Sequence, residues 1–357
     1  MAKRNQNIVA LMEVGGSHDE CLYSQIYALN NAGHKVYLIC TKEIKDRNPS
    51  FEELLAGFVI IEFSKSKFKN NVILLGVIRK LKGLEVSKLV LNTAQGGKIR
   101  NLCLMSLFSK LEFIGIIHTT RKFKGSFTQK VINWKVKKYL LLSEYLWSTV
   151  TPPRNSKVDY FYPIRYQGYT HSLPSNEKLE VTIIGGVENR RKDLDGFVYL
   201  ISTLKAEANF TFLGKSDLNH NDVHAFQLKL KEMKLTENVK TFNTFISQKE
   251  FNRHLKKTDV ILPLVHPNTP SADQYFKNQI SGAMSVAFGY KIPMLIHEHY
   301  NFIEEMKPAS IYYNPSNFSQ RLSDVDGFKK VRLKMESNPK FDPKEQEKRF
   351  LNFLFEC

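Results

Sequence analysis

The feature that most constrains the fold of this chain is a pattern that occurs twice: a short apolar run, then two glycines, then a helical segment. The first copy reads IVALMEVGG at residues 8–16, and the second reads VTIIGG at residues 181–186. A strand that turns through glycines into a helix presents free helix amides to a ligand, which suits the turn to anions. Two copies about one domain apart predict two α/β domains that face each other across a cleft.

Strands alternate with helical segments along both halves of the chain, and this alternation predicts doubly wound parallel sheets. Predicted strands of the first half lie at 8–14, 36–40, 59–63, 88–92 and 113–118. Those of the second half lie at 181–184, 210–214, 239–243, 260–265 and 293–297. We therefore expect a Rossmann-like domain over 1–165, a polar linker over 166–178, a second Rossmann-like domain over 179–338, and a C-terminal helix over 339–357 that docks back.

The net charge of +17 is concentrated in the first half. Residues 65–138 contain 17 Lys and Arg, opposed only by Glu85 and Glu112. Such a field attracts anionic lipid, polyanionic glycan or nucleic acid, although a solvated basic surface is the simpler alternative. Because no nucleic-acid reading motif accompanies the charge, we do not expect a nucleic-acid partner.

The expected cellular location follows from the length of the apolar runs and from the spacing of the cysteines. The longest apolar runs are too short to span a bilayer. The four cysteines lack metal-binding spacing, so free thiols in a reducing compartment are expected. We expect a cytoplasmic protein, and the basic segment 65–138 raises the hypothesis that it rests on the inner membrane face.

The second glycine turn, GGVENRRKD at 185–193, is the stronger of the two anion-site candidates. Cations oppose the helix dipole at a helix N-terminus, and an anion such as a diphosphate between them would explain their place there. A solvated charge run is the alternative. The candidate residues are Gly185, Gly186, Arg190, Arg191 and Lys192.

A third stretch, SADQYFKNQISGAMSVAFGYKIP at 271–293, places small residues at the start of a predicted helix. Small residues let a ligand approach backbone amides closely, but they also favour packing of a helix on a sheet. The donor-binding candidates here are Ser281, Gly282 and Ala283, with Tyr275 and Lys277 just before them.

The first half contributes Gly16 from its glycine turn and His118 from the end of a predicted strand. The turn lacks G-x-G-x-x-G, so a dinucleotide fingerprint is not supported, and Gly16 could serve only the turn itself. Ligands of α/β sheets bind at the carboxyl ends of strands, which makes His118 a candidate base or hydroxyl partner. His18, Glu13 and Glu20 are further candidates nearby.

The joint order of these segments resembles the GT-B glycosyltransferases, and most of all the retaining "group 1" or family-4-like type. The resemblance runs over residues 8–300 and rests on motifs in series: GHKVYLIC, IIHTT, LLLSEYL, YFYPI, VTIIGGVENRRKDLDG, FTFLG, VKTFNTFISQKEFNRHLKKTDVILPLV and ISGAMSVAFGYKIPML. In the family pattern after the first strand of the second domain, Gly185 matches the Gly, and Arg191 and Lys192 match a basic pair. Gly186 stands in place of an Arg, and Asp193 in place of a Gly.

The resemblance implies two Rossmann-like domains, with the acceptor on the basic first one and a UDP- or GDP-linked sugar on the second. It implies a retaining, metal-independent hexosyl transfer to a glycan or lipid-diphosphate acceptor in surface polysaccharide assembly, with no cofactor besides the donor substrate. His118 falls where the family often has a histidine near the reacting sugar. Two glutamates that the family often carries eight residues apart are missing here. A catalytically degenerate subunit and a GT-B sugar epimerase or hydrolase therefore remain as alternatives.

Overall fold

The computed structural model describes residues 7–168, 178–204 and 207–356. These residues form two compact units. The first runs to Arg165 and resumes at Pro343, and the second comprises Tyr166–Asp342. Most of the predicted linker, residues 169–177, lies outside the described residues.

The first unit contains a seven-stranded sheet in which all neighbouring strands are parallel. Its strands are β1 (Ile8–Glu13), β2 (Lys35–Cys40), β3 (Gly57–Ile60), β4 (Lys88–Leu91), β5 (Glu112–Ile117), β6 (Lys138–Leu141) and β7 (Lys157–Tyr160). Its helices up to the crossing into the second unit are α1 (Leu22–Asn31), α2 (Lys42–Arg47), α3 (Lys67–Gly83), α4 (Gly97–Met105), α5 (Phe127–Lys135) and α6 (Glu144–Thr149). The strand order is β3-β2-β1-β4-β5-β6-β7.

The central strands of this sheet are apolar because helices cover both of its faces. Val9, Leu11, Leu89 and Val90 are fully buried. The order of the strands reverses direction between β1 and β4. In open α/β sheets, that reversal opens a crevice at the carboxyl ends of the strands.

The second unit contains a six-stranded parallel sheet of order β10-β9-β8-β11-β12-β13. Its strands are β8 (Leu179–Ile184), β9 (Ala208–Lys215), β10 (Val239–Phe242), β11 (Val260–Ile261), β12 (Met294–His297) and β13 (Ser310–Tyr313). Its helices are α7 (Leu194–Ser202), α8 (Asn221–Glu232), α9 (Gln248–Leu255), α10 (Ala272–Lys277), α11 (Gly282–Tyr290), α12 (Phe318–Leu322) and α13 (Val325–Ser337). The reversal here lies between β8 and β11, the counterpart of the first unit's reversal.

The core of the second unit is rich in phenylalanine. The Phe197 ring meets those of Phe210 and Phe212 edge-on, at centroid distances of 5.3 and 5.4 Å. Edge-to-face contacts are a favoured arrangement of aromatic rings. They fix α7 on the sheet, and with it the turn that leads into α7.

The last helix, α14 (Pro343–Phe355), packs against α1 of the first unit. The Gln346 side chain accepts a hydrogen bond from the Tyr162 amide at 2.9 Å, and the Phe350 ring lies 5.0 Å from that of Phe161. Arg349 pairs with Asp159. The prediction of a C-terminal helix that docks back onto the fold is confirmed, although the helix begins at Pro343 rather than at residue 339.

The doubly wound α/β prediction is confirmed in both units. The strand predicted at 260–265 is shorter than expected, since only Val260 and Ile261 pair in the sheet. The elements β6, β7 and β13 were not predicted from the sequence. In the described ranges, none of the helices is long and apolar enough to cross a membrane.

Candidate functional site

The first glycine turn follows β1 and is closed by an internal carboxylate. Glu13, the fully buried last residue of β1, accepts a hydrogen bond from the Gly15 amide at 2.6 Å. Its other oxygen accepts from Asn92 Nδ2 at 2.8 Å and from Thr93 Oγ1 at 2.6 Å, both just beyond β4. The amide that an anion would use is therefore bonded to Glu13.

Further acidic groups surround the same turn. Asp19 accepts hydrogen bonds from Arg47 and Asn48, each at 3.0 Å, and Glu20 follows it at the start of the helical segment. Gly16 is exposed, and its carbonyl accepts a bond from Arg47 at 3.4 Å. Negative side chains at this turn oppose a phosphate and favour the recognition of hydroxyl groups.

His118 lies directly after β5, beside these residues. Its Nε2 donates to the Asn92 carbonyl at 2.7 Å, and its ring stacks on that of His18 with centroids 3.7 Å apart. Because a carbonyl only accepts, Nε2 carries the proton and Nδ1 is the nitrogen that can accept one. Burial and the neighbouring His18 lower the pKa of His118 to about 4, so the ring is neutral near pH 7.

Three buried polar atoms near the same sheet edge have no hydrogen-bond partner among the described residues. They are Oε1 of Gln95, after β4, Oγ1 of Thr119, next to His118, and Oε1 of Gln25, whose Nε2 donates to Asn92 Oδ1 at 2.6 Å. Buried polar atoms are almost always satisfied, so such atoms indicate a water or ligand position. Gln95 and Asn92 were missed by the sequence reasoning because a single Gln or Asn after a strand carries no distinctive pattern.

The second glycine turn follows β8 and is held by backbone packing. Gly185 has φ +91°, a region that favours glycine. A Cβ on Gly186 would collide with the Lys215 carbonyl of β9, and one on Gly214 would collide with the backbone of Gly185 and Gly186. Gly186 thus has a packing reason to be glycine, which explains why no arginine stands there.

Lys192 is the buried cation of this turn. The residue is only 9% exposed, and its side chain makes no hydrogen bond or ion pair with the residues that the structure describes, although the nearby Glu188 carboxylate acts on it electrostatically. A Cβ on Gly185 would lie 3.1 Å from the Lys192 Nζ, so the ammonium group sits against the glycine turn. Burial lowers the pKa of Lys192 to about 8. A buried cation without a partner is costly, and an anion in the turn would remove that cost.

The other predicted cations differ from Lys192. Arg191 is exposed and pairs with Glu188 at 3.2 Å, and the Arg190 side chain is exposed. Lys277 pairs with Asp273 at 2.9 Å on an exposed helix face. Exposed cations with solvent or a carboxylate beside them give weak evidence for a ligand.

A buried network locks the cationic turn to the strands beyond it. Asp193 caps α7 by accepting from the Gly196 amide at 2.8 Å, and its second oxygen lies 2.7 Å from His266 Nδ1. His266 Nε2 lies 2.5 Å from the Tyr313 hydroxyl at the end of β13. The His266 hydrogen bond holds the pKa of Asp193 below its usual range, so Asp193 stays ionised. His266 and Tyr313 were missed because they are distant in sequence.

The N-terminus of α11 lies at the same edge of this sheet, because α11 leads into β12 and packs against β8. Ser281 caps it by accepting from the Ala283 amide at 3.3 Å, and a Cβ on the exposed Gly282 would meet no atom within 4 Å. No acidic residue lies in its first turn. Tyr275 is half-buried in α10 just before it.

The second unit therefore places the Gly185–Lys192 turn and the α11 N-terminus at the same edge of its sheet, while Gly16 and His118 lie in the first unit. In the described part of the chain, no group of three or more His, Cys, Asp or Glu residues could hold a metal ion.

Comparison with known proteins identifies the fold of this chain. Neither the protein-family models nor the curated proteins contain a match to this sequence. Among solved structures, Anabaena HepE in complex with UDP-glucose is similar over 98% of this chain and 100% of its own, with a TM-score of 0.71 and 9% identity. A glycosyltransferase from Rickettsia africae is similar over 99% of this chain and 100% of its own, with a TM-score of 0.69 and 12% identity.

A putative UDP-N-acetylglucosamine 2-epimerase from Listeria monocytogenes is also similar, over 98% of this chain and 96% of its own, with a TM-score of 0.64 and 11% identity. The chain has the GT-B glycosyltransferase fold, as the sequence resemblance predicted. The TM-scores and coverages establish the fold, whereas identities of 9–12% leave the activity to be argued from the site.

Proposed function

We propose that this protein is a glycosyltransferase whose second unit binds a nucleotide-sugar through its diphosphate. The observation that carries the proposal is Lys192, a largely buried cation against Gly185 whose side chain has no hydrogen bond or ion pair among the described residues. A diphosphate supplies the missing counter-charge, and the α11 N-terminus adds backbone donors and a favourable dipole. The solved complex of HepE with UDP-glucose supports a UDP-linked hexose as the donor, with GDP-linked sugars as the alternative.

The same groups would assist the reaction as well as binding. Negative charge develops on the leaving diphosphate as the bond to the sugar breaks. Preorganised cations and amides stabilise that charge more than they stabilise the intact donor, which accelerates the step. Lys192, Gly185 and the α11 amides are the groups that would do this, and the proposed transfer needs no metal ion.

His118 is the residue proposed to act on the sugar. Its neutral ring can accept a hydroxyl proton at Nδ1 while Nε2 remains bonded to the Asn92 carbonyl. The acidic side chains around it, Glu13, Asp19 and Glu20, suit the hydroxyl groups of a sugar better than a phosphate. We propose transfer with retention of stereochemistry to a glycan or lipid-linked acceptor of surface polysaccharide assembly, as the family resemblance implies.

An epimerase is the second candidate, and one observation favours it. The structure brings Glu13, His18, Glu20 and His118 close together, a denser set of acid–base groups than the sequence indicated. The similarity to the Listeria putative epimerase is compatible with it. The three hydrogen bonds to Glu13 argue against a mobile proton acceptor there.

The test is a thermal-shift screen with UDP, GDP, CMP and TDP on the wild type, Lys192→Met and Lys291→Met. Lys291 is a matched control: it is a second lysine whose pKa burial lowers to about 8, but it lies beyond the C-terminal end of α11, where it donates to the Phe341 carbonyl. A ligand that binds the folded form must raise the melting temperature. We expect one nucleotide to stabilise the wild type and Lys291→Met but not Lys192→Met.

The absence of any shift, or an undiminished shift in Lys192→Met, would contradict the donor site. Incubation with the matching nucleotide-sugar then separates the activities. Release of the free nucleotide with transfer or slow hydrolysis of the sugar indicates a transferase, whereas a sugar of altered configuration indicates an epimerase. Binding with neither product indicates a catalytically degenerate subunit.

A further inference from the structure

Helix α3 of the first unit has two apolar faces. Leu74, Val77 and Leu81 are buried against the sheet, as expected for a surface helix. A second stripe, Phe68, Val72 and Leu75, is 77%, 53% and 41% exposed. The spacing i, i+4, i+7 places these three side chains on one side of the helix. A helix that packs only against the core of its own unit requires a single apolar face, so the second stripe is not explained by that packing.

Cations flank the exposed stripe of α3 and no carboxylate lies within the helix. Lysines and an arginine are exposed near both of its ends; they are Lys67, Lys69, Arg79, Lys80 and Lys82. An apolar stripe bordered by basic residues is typical of helices that lie in the interface of an anionic membrane.

The helices beside α3 continue this surface. α3 packs against α4 and α4 against α5, and the Asn101 side chain donates to the Asn71 side chain at 2.9 Å across the first pair. These two helices and the loop after α4 expose large apolar side chains, namely Leu104, Phe108, Phe127 and Trp134. Aromatic side chains amid basic residues are suited to the headgroup region.

The basic charge of this surface is nearly unopposed. Of the two acidic residues in 65–138, Glu112 already pairs with Lys88 and Lys138. A second copy of the chain would bring the same positive charge against it, so like-charge repulsion disfavours self-association through this face. Nucleic acid would use the lysines, but aliphatic side chains such as Val72 and Leu75 contribute little to phosphate contacts.

We propose that the face formed by α3, α4 and α5 docks the protein onto an anionic lipid membrane, with the α3 stripe inserted among the headgroups. The observations that carry this docking belong to the first unit alone. The inference goes beyond the proposed function and does not depend on donor binding by the second unit.

The experiment is co-sedimentation of the full chain with vesicles of phosphatidylcholine and phosphatidylglycerol, and with vesicles of phosphatidylcholine alone. We expect binding to the anionic vesicles that weakens with salt, since each lysine near an anionic leaflet strengthens binding about fivefold. The variant Phe68→Ser/Val72→Asn/Leu75→Gln keeps every charge and should bind at least about tenfold more weakly, because its apolar stripe is lost.

The matched control is Val325→Asn/Leu333→Gln on α13, where two apolar residues of the second unit are 46% and 64% exposed. It should bind vesicles as the wild type does. All three proteins should show the same nucleotide-induced thermal shift, so a failure of membrane docking is distinguishable from a failure of the donor site.

Any one of three results would overturn the proposal. The first is equal binding to neutral and anionic vesicles. The second is undiminished binding by the stripe variant, which would reduce the surface to a general polyanion binder. The third is no binding to anionic vesicles; a wild-type dimer that the stripe variant dissociates would then identify the stripe as a self-association surface.

Discussion

The two glycine turns occupy equivalent places in their sheets, but they carry opposite charge. Each follows the first strand of its unit and lies beside the reversal of strand order. In the first unit, the buried carboxylate of Glu13 accepts the Gly15 amide. In the second unit, the largely buried Lys192 places its ammonium group against Gly185, where it makes no hydrogen bond or ion pair with the described residues.

We infer from the difference that the topology sets the place of a site, and we propose that one buried side chain in each turn sets which ligand the site accepts. The strand reversal provides a crevice with free backbone groups in either unit. In the first turn, the Glu13 carboxylate already accepts the Gly15 amide, and its negative charge repels phosphate. In the second turn, the positive charge of Lys192 lies against Gly185 and favours an anion. We therefore propose the second turn, and not the first, as the diphosphate site.

The largest expected effect comes from the second glycine of each pair. Gly186→Ala should destabilise the second unit by about 3 kcal/mol or more, because its Cβ would collide with the backbone of Lys215. Gly16→Ala is the matched control, since a Cβ there meets no atom within 4 Å, and its effect should stay within about 0.5 kcal/mol. Urea unfolding monitored for both variants measures the difference, and similar destabilisation of both would contradict the packing account of Gly186.

A smaller effect is expected from Glu13→Gln in the first turn. The Gln amide keeps one acceptor oxygen, but its NH2 group must face either the Gly15 amide or the Asn92 and Thr93 side chains, which now donate to the carboxylate, at a cost of about 2 kcal/mol. The nucleotide-induced thermal shift should be unchanged, because the first turn is not the diphosphate site. A gain or loss of nucleotide binding in this variant would break the distinction between the two turns.

The smallest expected effect is the titration of His118. Its pKa of about 4 lies below the ordinary value of 6.5, so an NMR titration should show no change of its ring signals between about pH 6 and pH 8. Because the unfolded chain binds this proton more tightly, His118 should lower the stability of the fold as the pH falls from about 6.5 towards 4. A midpoint near 6.5 would contradict the burial that lowers the pKa of His118 and keeps its ring neutral throughout this pH range.

The doubly wound sheets could be predicted from the sequence, because buried parallel strands are continuous apolar runs that are recognisable in a single sequence. It also made Lys192 and Ser281–Ala283 donor-site candidates by their place after a strand and a loop, and the helix start predicted there is confirmed by α11, which begins at Gly282. The strand β13 was not found, because SIYY is too short to distinguish from a loop.

The chemistry of the first turn could not be predicted from composition. Glu13 is a strand residue whose role depends on Asn92 and Thr93, nearly eighty positions away. The sequence treated Arg190, Arg191 and Lys192 as equal cations, and only burial separates the partnerless Lys192 from the exposed arginines. Long-range hydrogen bonds and burial are tertiary properties, and local patterns do not encode them.

The measurement that tests the central claim most directly is the pH dependence of UDP affinity, by calorimetry between about pH 7 and pH 9, for the wild type and Lys192→Met. An anion beside Lys192 favours its charged form, so binding takes up a proton once the pH exceeds the pKa of about 8 in the free protein. The account predicts that wild-type affinity falls towards tenfold per pH unit above about pH 8, and that Lys192→Met binds weakly with no such fall. The same affinity and the same pH profile in both proteins would contradict it.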